Sequence, residues 1–234
     1  MSILTKMSTD TYSNSAMLHL MRLTSPSLPI GAFAYSQGLE FACDQEWIKD
    51  ENSAQEWIAG LMRNSQTFLD LPIIVRLYNA WQNSSDDKVK YWSQYLLASR
   101  ESQELQNEDH YIGTALSKLL ADLDVDEAKK IVSASYVTYA TAFSLAAVEW
   151  QVSVENCCTG YLWAWCENQV NAAIKLIPLG QTAGQRMVST LIDEIPNVVR
   201  IAMKLEDDEI GSTAIGLGIA SAKHEIQYSR LFRS

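Results

Sequence analysis

From residue 54 to the end of the chain, apolar residues return every three or four positions, and no stretch alternates strictly enough for a strand. That period commits the chain to helices. Ala54, Trp57, Ile58, Leu61 and Met62 form one stripe. Leu162, Cys166, Val170, Ala173 and Ile177 form another, and Gly184, Val188, Leu191 and Ile195 a third. Ile215, Ile219, Ala222 and Ile226 form the last, which reads as a core-facing stripe ending at Ile226.

Punctuation residues divide the helices. Pro26, Pro29 and Gly31 end a short helix around residues 17–23. Ser53 with Glu56 reads as a capping box, and Asp124 with Glu127 as a second helix start. Pro72 opens a helix running to Trp81, the polar turn 83–87 follows, and further helices cover 88–100 and 101–119. The segment Ser133–Ala147, crowded with Ala, Ser and Thr, suits a central helix approached closely by its neighbours. A helix over 154–177 stops at Pro178. Pro196 is expected to interrupt the helix after Gly180, and Glu206–Gly211 reads as an acidic turn. The expected fold is all-α: a single compact helical domain of about ten helices over 17–234, preceded by a flexible segment at 1–16.

With 18 Lys and Arg against 28 Asp and Glu, the 234-residue chain carries a net charge of −10 and no basic block. That balance disfavours nucleic acid and anionic membrane surfaces, and no apolar run is long enough to span a bilayer. Residues 1–16 contain no apolar signal region, so a cytoplasmic location is expected and Cys43, Cys157, Cys158 and Cys166 read as reduced thiols. Cys166, on an apolar stripe, reads as core.

Chemistry-bearing motifs are absent. There is no phosphate-cradling GxxxxGK[ST], no HExxH and no GxSxG, and Gly216-Leu217-Gly218 is a lone GxG without a preceding strand. His19, His110 and His224 are scattered. Glu104 and Glu108 share a helical face that His110 does not, so they read as a solvated acidic surface. Cys157 and Cys158 are adjacent and diverge by about 100° on a helix, an awkward metal pair. No catalytic residue, cofactor or metal site is assigned, and an interaction protein is favoured over an enzyme.

Three segments carry a more specific signal. Leu23 through Glu40 closely resembles the N-terminal signature of the urease accessory F family. Tyr161-Leu162-Trp163 and Ala172 through Arg186 are similar to its second signature, and His224 through Ser234 to its C-terminal one. Ser99-Arg100-Glu101, with Glu104, Leu105 and Gly113, is a softer fourth match in family order. Ala34 and Ser102 depart slightly from the pattern, and the stretch 117–130 matches nothing recognisable. The resemblance implies an all-α homodimer that binds a D/H-type urease accessory protein through its C-terminal region. It further implies recruitment of the nickel-binding G-type accessory GTPase, docking on apo-urease, and regulation that couples GTP hydrolysis to nickel delivery, without enzymatic activity.

The resemblance directs attention to particular residues. Phe33 and Tyr35, two aromatics after a glycine turn, are candidate GTPase contacts, with core burial the competing reading. Lys175 is an isolated cation on an apolar helix that snorkels, touches a partner or borders a water channel. Gln181, Gln185 and Arg186 either cap a helix or line a polar passage for a hydrated ion. In the tail, Tyr228, Arg230, Leu231, Phe232 and Arg233 either pack on their own protein or are gripped by a partner. Two rivals stay open: a nickel carrier using Cys157, Cys158 or His224, and a GTPase activator supplying Arg230 or Arg186 in trans.

Overall fold

Because the apolar stripes differ in width, the helices sort themselves by depth. The computed structural model describes residues 14–234; the segment expected to be flexible therefore lies outside the described residues, apart from 14–16, which are already helical. The helices are α1 (14–23), α2 (Leu39–Asp44), α3 (Glu51–Leu61), α4 (Asp70–Gln82), α5 (Asp86–Ala98) and α6 (Gln103–Asp122). They continue with α7 (Asp126–Ile131), α8 (Tyr139–Glu149), α9 (Val154–Leu176), α10 (Gln181–Ala202) and α11 (Ile215–His224). No strand occurs among the described residues.

The central element is α8, whose residues Ala140 through Ala147 are all buried. Helices α4, α6 and α9 pack around it. Small side chains permit that approach: Trp81 of α4 donates its indole N–H to the carbonyl of Thr141 at 3.1 Å. Gly113 of α6 lies so close to Thr138 that a Cβ there would overlap the Thr138 carbonyl. Outside this centre α10 lies along α9, and α11 packs on α2 and α6.

Several boundaries differ from the expected ones. Helix α3 is capped by Asp50, not Ser53: Asp50 is extended and accepts the N–H of Ser53, whose hydroxyl accepts the Asp50 N–H. The sequence offers a cap–partner pair at both 50/53 and 53/56, and the earlier one wins. Asp124 does not cap α7; it sits at φ 64° and Val125 takes the N-cap position without a side-chain bond. The small-residue segment begins its helix at Tyr139, six residues later than Ser133. Pro196 does not interrupt α10. It and Ile192, whose carbonyl loses its N–H partner, both lie on the exposed face, where water can satisfy that oxygen.

The largest correction concerns α11. Ile215, Ile219 and Ile226 are 70%, 48% and 78% exposed. The buried side is instead Leu217, Ala220, Ser221 and His224. The periodicity is real, but it marks the outward face.

Two glycines provide a test with opposite signs. Gly113→Ala should destabilise by roughly 1–3 kcal/mol through overpacking against α8. Gly60→Ala, in α3 with nothing near the added Cβ, should stabilise by about 0.5–1 kcal/mol. Urea unfolding midpoints that move the same way for both would contradict this packing.

Candidate functional site

The C-terminal tail does not hang free. After α11 it folds back across α2 and the loop before it, held mainly by carboxylates. Glu40 of α2, 7% exposed, accepts the N–H groups of Leu231 and Phe232 at 2.6 and 2.8 Å. The Arg233 N–H bonds to the Ala34 carbonyl, and both the Ser36 N–H and hydroxyl bond to the Ser234 carbonyl. The Ser234 hydroxyl donates to Glu108 at 2.6 Å.

His224 anchors the start of this arrangement. Its ring is fully buried between Glu104, 2.8 Å from Nδ1, and Glu40, 3.2 Å from Nε2. Arg230 pairs with the other oxygen of Glu104 at 2.7 Å. The expectation of a solvated acidic face on α6 is thus overturned: Glu104 and Glu108 point inward, because the tail and α11 cover that face and supply donors. His110 of the same helix faces elsewhere, with Nδ1 3.1 Å from the Val137 carbonyl.

Beside the tail lies a cavity of about 80 Å³. Half-buried residues of the 24–33 segment form one side, including Leu28 and Phe33. The other side carries Gln66, Asp70, Arg100, Glu108 and Asp109. Ser65 and Gln66 reach it through a π-helical turn, Met62–Gln66, at the end of α3. Burial pushes the Glu108 carboxyl up to about 7, with Asp109 adding to it, against the opposing hydrogen bonds from Ser234 and Gln37.

The candidate residues fall in different places. Phe33 is half-buried at the cavity, whereas Tyr35 is 5% exposed and belongs to the core, its carbonyl accepting from Asn168. The two aromatics therefore do not project together, since a 3-10 turn at Ala32–Ala34 intervenes. Lys175 is exposed, with its ammonium 5.6 Å from the ring of Phe232. Gln181, Gln185 and Arg186 are exposed on the first turns of α10, away from the cavity, and Arg186 pairs with Glu51. Phe232 is 6% exposed, while Tyr228, Leu231, Arg230 and Arg233 remain accessible. The tail thus packs on its own protein and still presents side chains outward.

Cys157 and Cys158 are both fully buried, and burial pushes the Cys158 thiol up to about 12. Among the described residues no group of three His, Cys, Asp or Glu side chains is arranged to hold a metal ion. No described helix is long and apolar enough to cross a membrane.

Comparison with known proteins places this architecture. The UreF family model matches residues 48–192. A protein of Alkalilimnicola ehrlichii is 45% identical over 228 residues, covering 97% of this chain and 100% of that one. One from Teredinibacter turnerae is 44% identical over 221 residues, 94% and 100% of the two chains. Another, from Brucella anthropi, is 45% identical over 218 residues, 93% and 96%. The chain belongs to the UreF family. The relatives from Alkalilimnicola and Teredinibacter are named urease accessory protein UreF, and that from Brucella urease accessory protein UreF 2. Within the family model lie Glu104, Glu108 and the Arg100 centre; Glu40, His224 and the tail lie outside it, in the stretches that the full-length relatives also cover.

Glu40, Glu108 and His224 were not singled out as a set by sequence reasoning. Sequence separations of 184 and 120 residues hide the two His224 contacts. The available signal was two acidic residues four apart on a helix next to a His-bearing C-terminal signature.

Glu108 gives this site a pH signature. A carboxyl whose folded pKa is raised from 4.5 to about 7 favours the fold below 4.5 and loses that contribution as pH climbs through 7. Glu108→Gln should therefore unfold with a flatter dependence on pH between 4.5 and 7. Above pH 7 it should gain on the wild type by an amount on the order of 1–3 kcal/mol. Parallel pH profiles of the two proteins in thermal melts would refute this assignment.

Proposed function

We propose that this protein is a non-enzymatic urease maturation factor. In this reading it acts in the cytoplasm as a scaffold and regulator of a G-type accessory GTPase, coupling GTP hydrolysis to delivery of nickel, the cargo, into apo-urease. A D/H-type accessory protein docks on α11 and the tail.

One observation carries the reading. Helix α11 is apolar on two opposite faces: Leu217 and Ala220 turn inward, and Ile215 and Ile219 turn outward, with Ile226 exposed just beyond its end. A helix apolar all round is normally buried on all sides. Beyond the helix, Leu231 and the fully exposed Tyr228 are also accessible, as are Arg230 and Arg233. Apolar anchors rimmed by arginines are the composition of a docking surface. The location agrees with the resemblance, which assigns the D/H-type contact to the C-terminal region.

For the GTPase contact, Phe33 at the half-buried 31–34 turn remains the candidate, while the burial of Tyr35 assigns it to holding that turn in place. The family resemblance also implies a homodimer; Met17, Leu18 and Met21, exposed on α1, offer a second apolar face for it. The rival nickel-carrier reading draws little from residues in this state. Cys157 and Cys158 are buried, and both nitrogens of His224 are occupied by carboxylates.

The test is co-purification with the D/H-type protein. Ile215→Glu with Ile219→Glu should leave the melting temperature near the wild-type value, because neither side chain belongs to the buried core. The same pair should weaken association by roughly thirtyfold or more, at about 2 kcal/mol for even one lost anchor and 1.4 kcal/mol per decade. A double variant that assembles and supports urease maturation normally would overturn the assignment of α11. Deleting residues 229–234 should both weaken assembly and destabilise the fold, since Phe232 is buried and Glu40 and Glu108 lose their donors.

A further inference from the structure

The cavity behind Phe33 is amphipathic: half-buried apolar residues and buried charged ones line it, and they suit different parts of one ligand. Leu28, Ala32 and Phe33 supply a half-buried apolar wall. The inner side holds Asp70, Glu108 and Asp109 against the single guanidinium of Arg100, the only charged groups among its described lining residues. Arg100 is bound to both Asp70 and Asp109. Glu108 is left with neutral donors alone, Gln37 at 2.8 Å and Ser234 at 2.6 Å.

A second, independent feature points to a missing donor. Gln66 lines the same cavity, is 6% exposed, and its Oε1 is buried without a hydrogen-bond partner. A buried acceptor left unpaired is costly, and a turn of the Gln66 amide toward the cavity would let a ligand N–H satisfy it. An anion would meet three carboxylates. An apolar ligand would leave Gln66 unsatisfied. A bare metal ion finds no set of three ligating side chains arranged to hold it. A cation with several N–H donors on an apolar stem meets each requirement.

We propose that this cavity receives the tip of a basic side chain, arginine or lysine, from a partner protein, with the stem against Phe33 and the head toward Glu108 and Gln66. A cavity of about 80 Å³ suits such a head and excludes a folded element. The net charge of −10 favours a basic partner segment. This pocket is separate from the outward face of α11, and its test involves no partner, so its failure is distinct from failure of the docking assignment above.

The probes are n-propylguanidinium and n-butylammonium, with n-butanol as the uncharged control, added at low millimolar concentration to the full-length protein. The readout is the indole N–H resonance of Trp165, a lining residue, assigned with Trp165→Phe. The cations should give a saturable shift with a millimolar Kd, and n-butanol none. Glu108→Gln should weaken the cations at least fivefold, and Gln66→Leu about threefold with charge unchanged. Glu108 is faced by Gln37, Ser234, Asp109 and Arg100, and it titrates near 7, so wild-type affinity should be higher at pH 8 than at pH 6. That comparison serves even if Glu108→Gln does not fold. No saturable shift, an equal response to n-butanol, or affinity indifferent to both pH and Gln66→Leu would overturn the proposal. Submicromolar binding of n-propylguanidinium would also overturn it, in favour of a free small-molecule ligand.

Discussion

A single buried guanidinium joins the middle of this fold. Arg100 leaves the end of α5 and reaches Asp70 at the start of α4 and Asp109 in α6, at 2.6 and 2.7 Å. The second oxygen of Asp109 accepts the N–H of Tyr139, the first residue of α8, at 2.7 Å. Burial by itself would lower the Arg100 pKa; Asp70 and Asp109 outweigh it and hold the charge in place. Lysine would bring a point charge where the site needs a planar fork serving two carboxylates. Removing one member of such a set leaves an uncompensated buried charge, typically at a cost of 3–5 kcal/mol. The geometry of three helices around α8 is therefore fixed by direction as well as by apolar contact.

Helix α6 carries that order outward. Glu104, Glu108 and Asp109 lie within two turns of it, and each serves a different layer. Asp109 faces the central arginine, Glu108 faces the cavity and Ser234, and Glu104 holds His224 and Arg230. The N- and C-terminal signatures, nearly two hundred residues apart, meet here because Glu40 receives the tail that Glu104 positions. The cavity, the tail and the outward face of α11 thus share one helix as their support.

This explains what the sequence made legible. Helical period and the proline and glycine breaks located most elements, since those depend on local spacing. The stripe on α9 is buried as its spacing requires, and Cys166 is in the core. Period alone is silent on which neighbour covers a stripe, so it points the isoleucines of α11 inward where the fold turns them out. Its inward face, Leu217, Ala220, Ser221 and His224, looks weaker in sequence than the isoleucines that face out. The acidic residues of α6 looked solvated for the same reason: their donors come from residues more than a hundred positions away. Pro196 misled because the cost of a proline depends on whether the orphaned carbonyl faces solvent, a tertiary fact.

The way α11 is held bears on the docking role proposed for it. Ten residues are too few for a stable isolated helix in water. Its buried side is small, and Gly38, at φ +75°, lets α2 approach Ala220 and Ser221 closely. What remains to fix it is directional: the His224 ring between two carboxylates, and the tail amides on Glu40. Apolar packing tolerates sliding of a helix along its neighbour, whereas an imidazole held at both nitrogens and a carboxylate holding two consecutive amides do not. The outward isoleucines are thereby presented in one register without a large inner core beneath them. A partner covering this face, as proposed, would add the burial that α11 lacks, so docking and the ordering of the C-terminal region would reinforce each other.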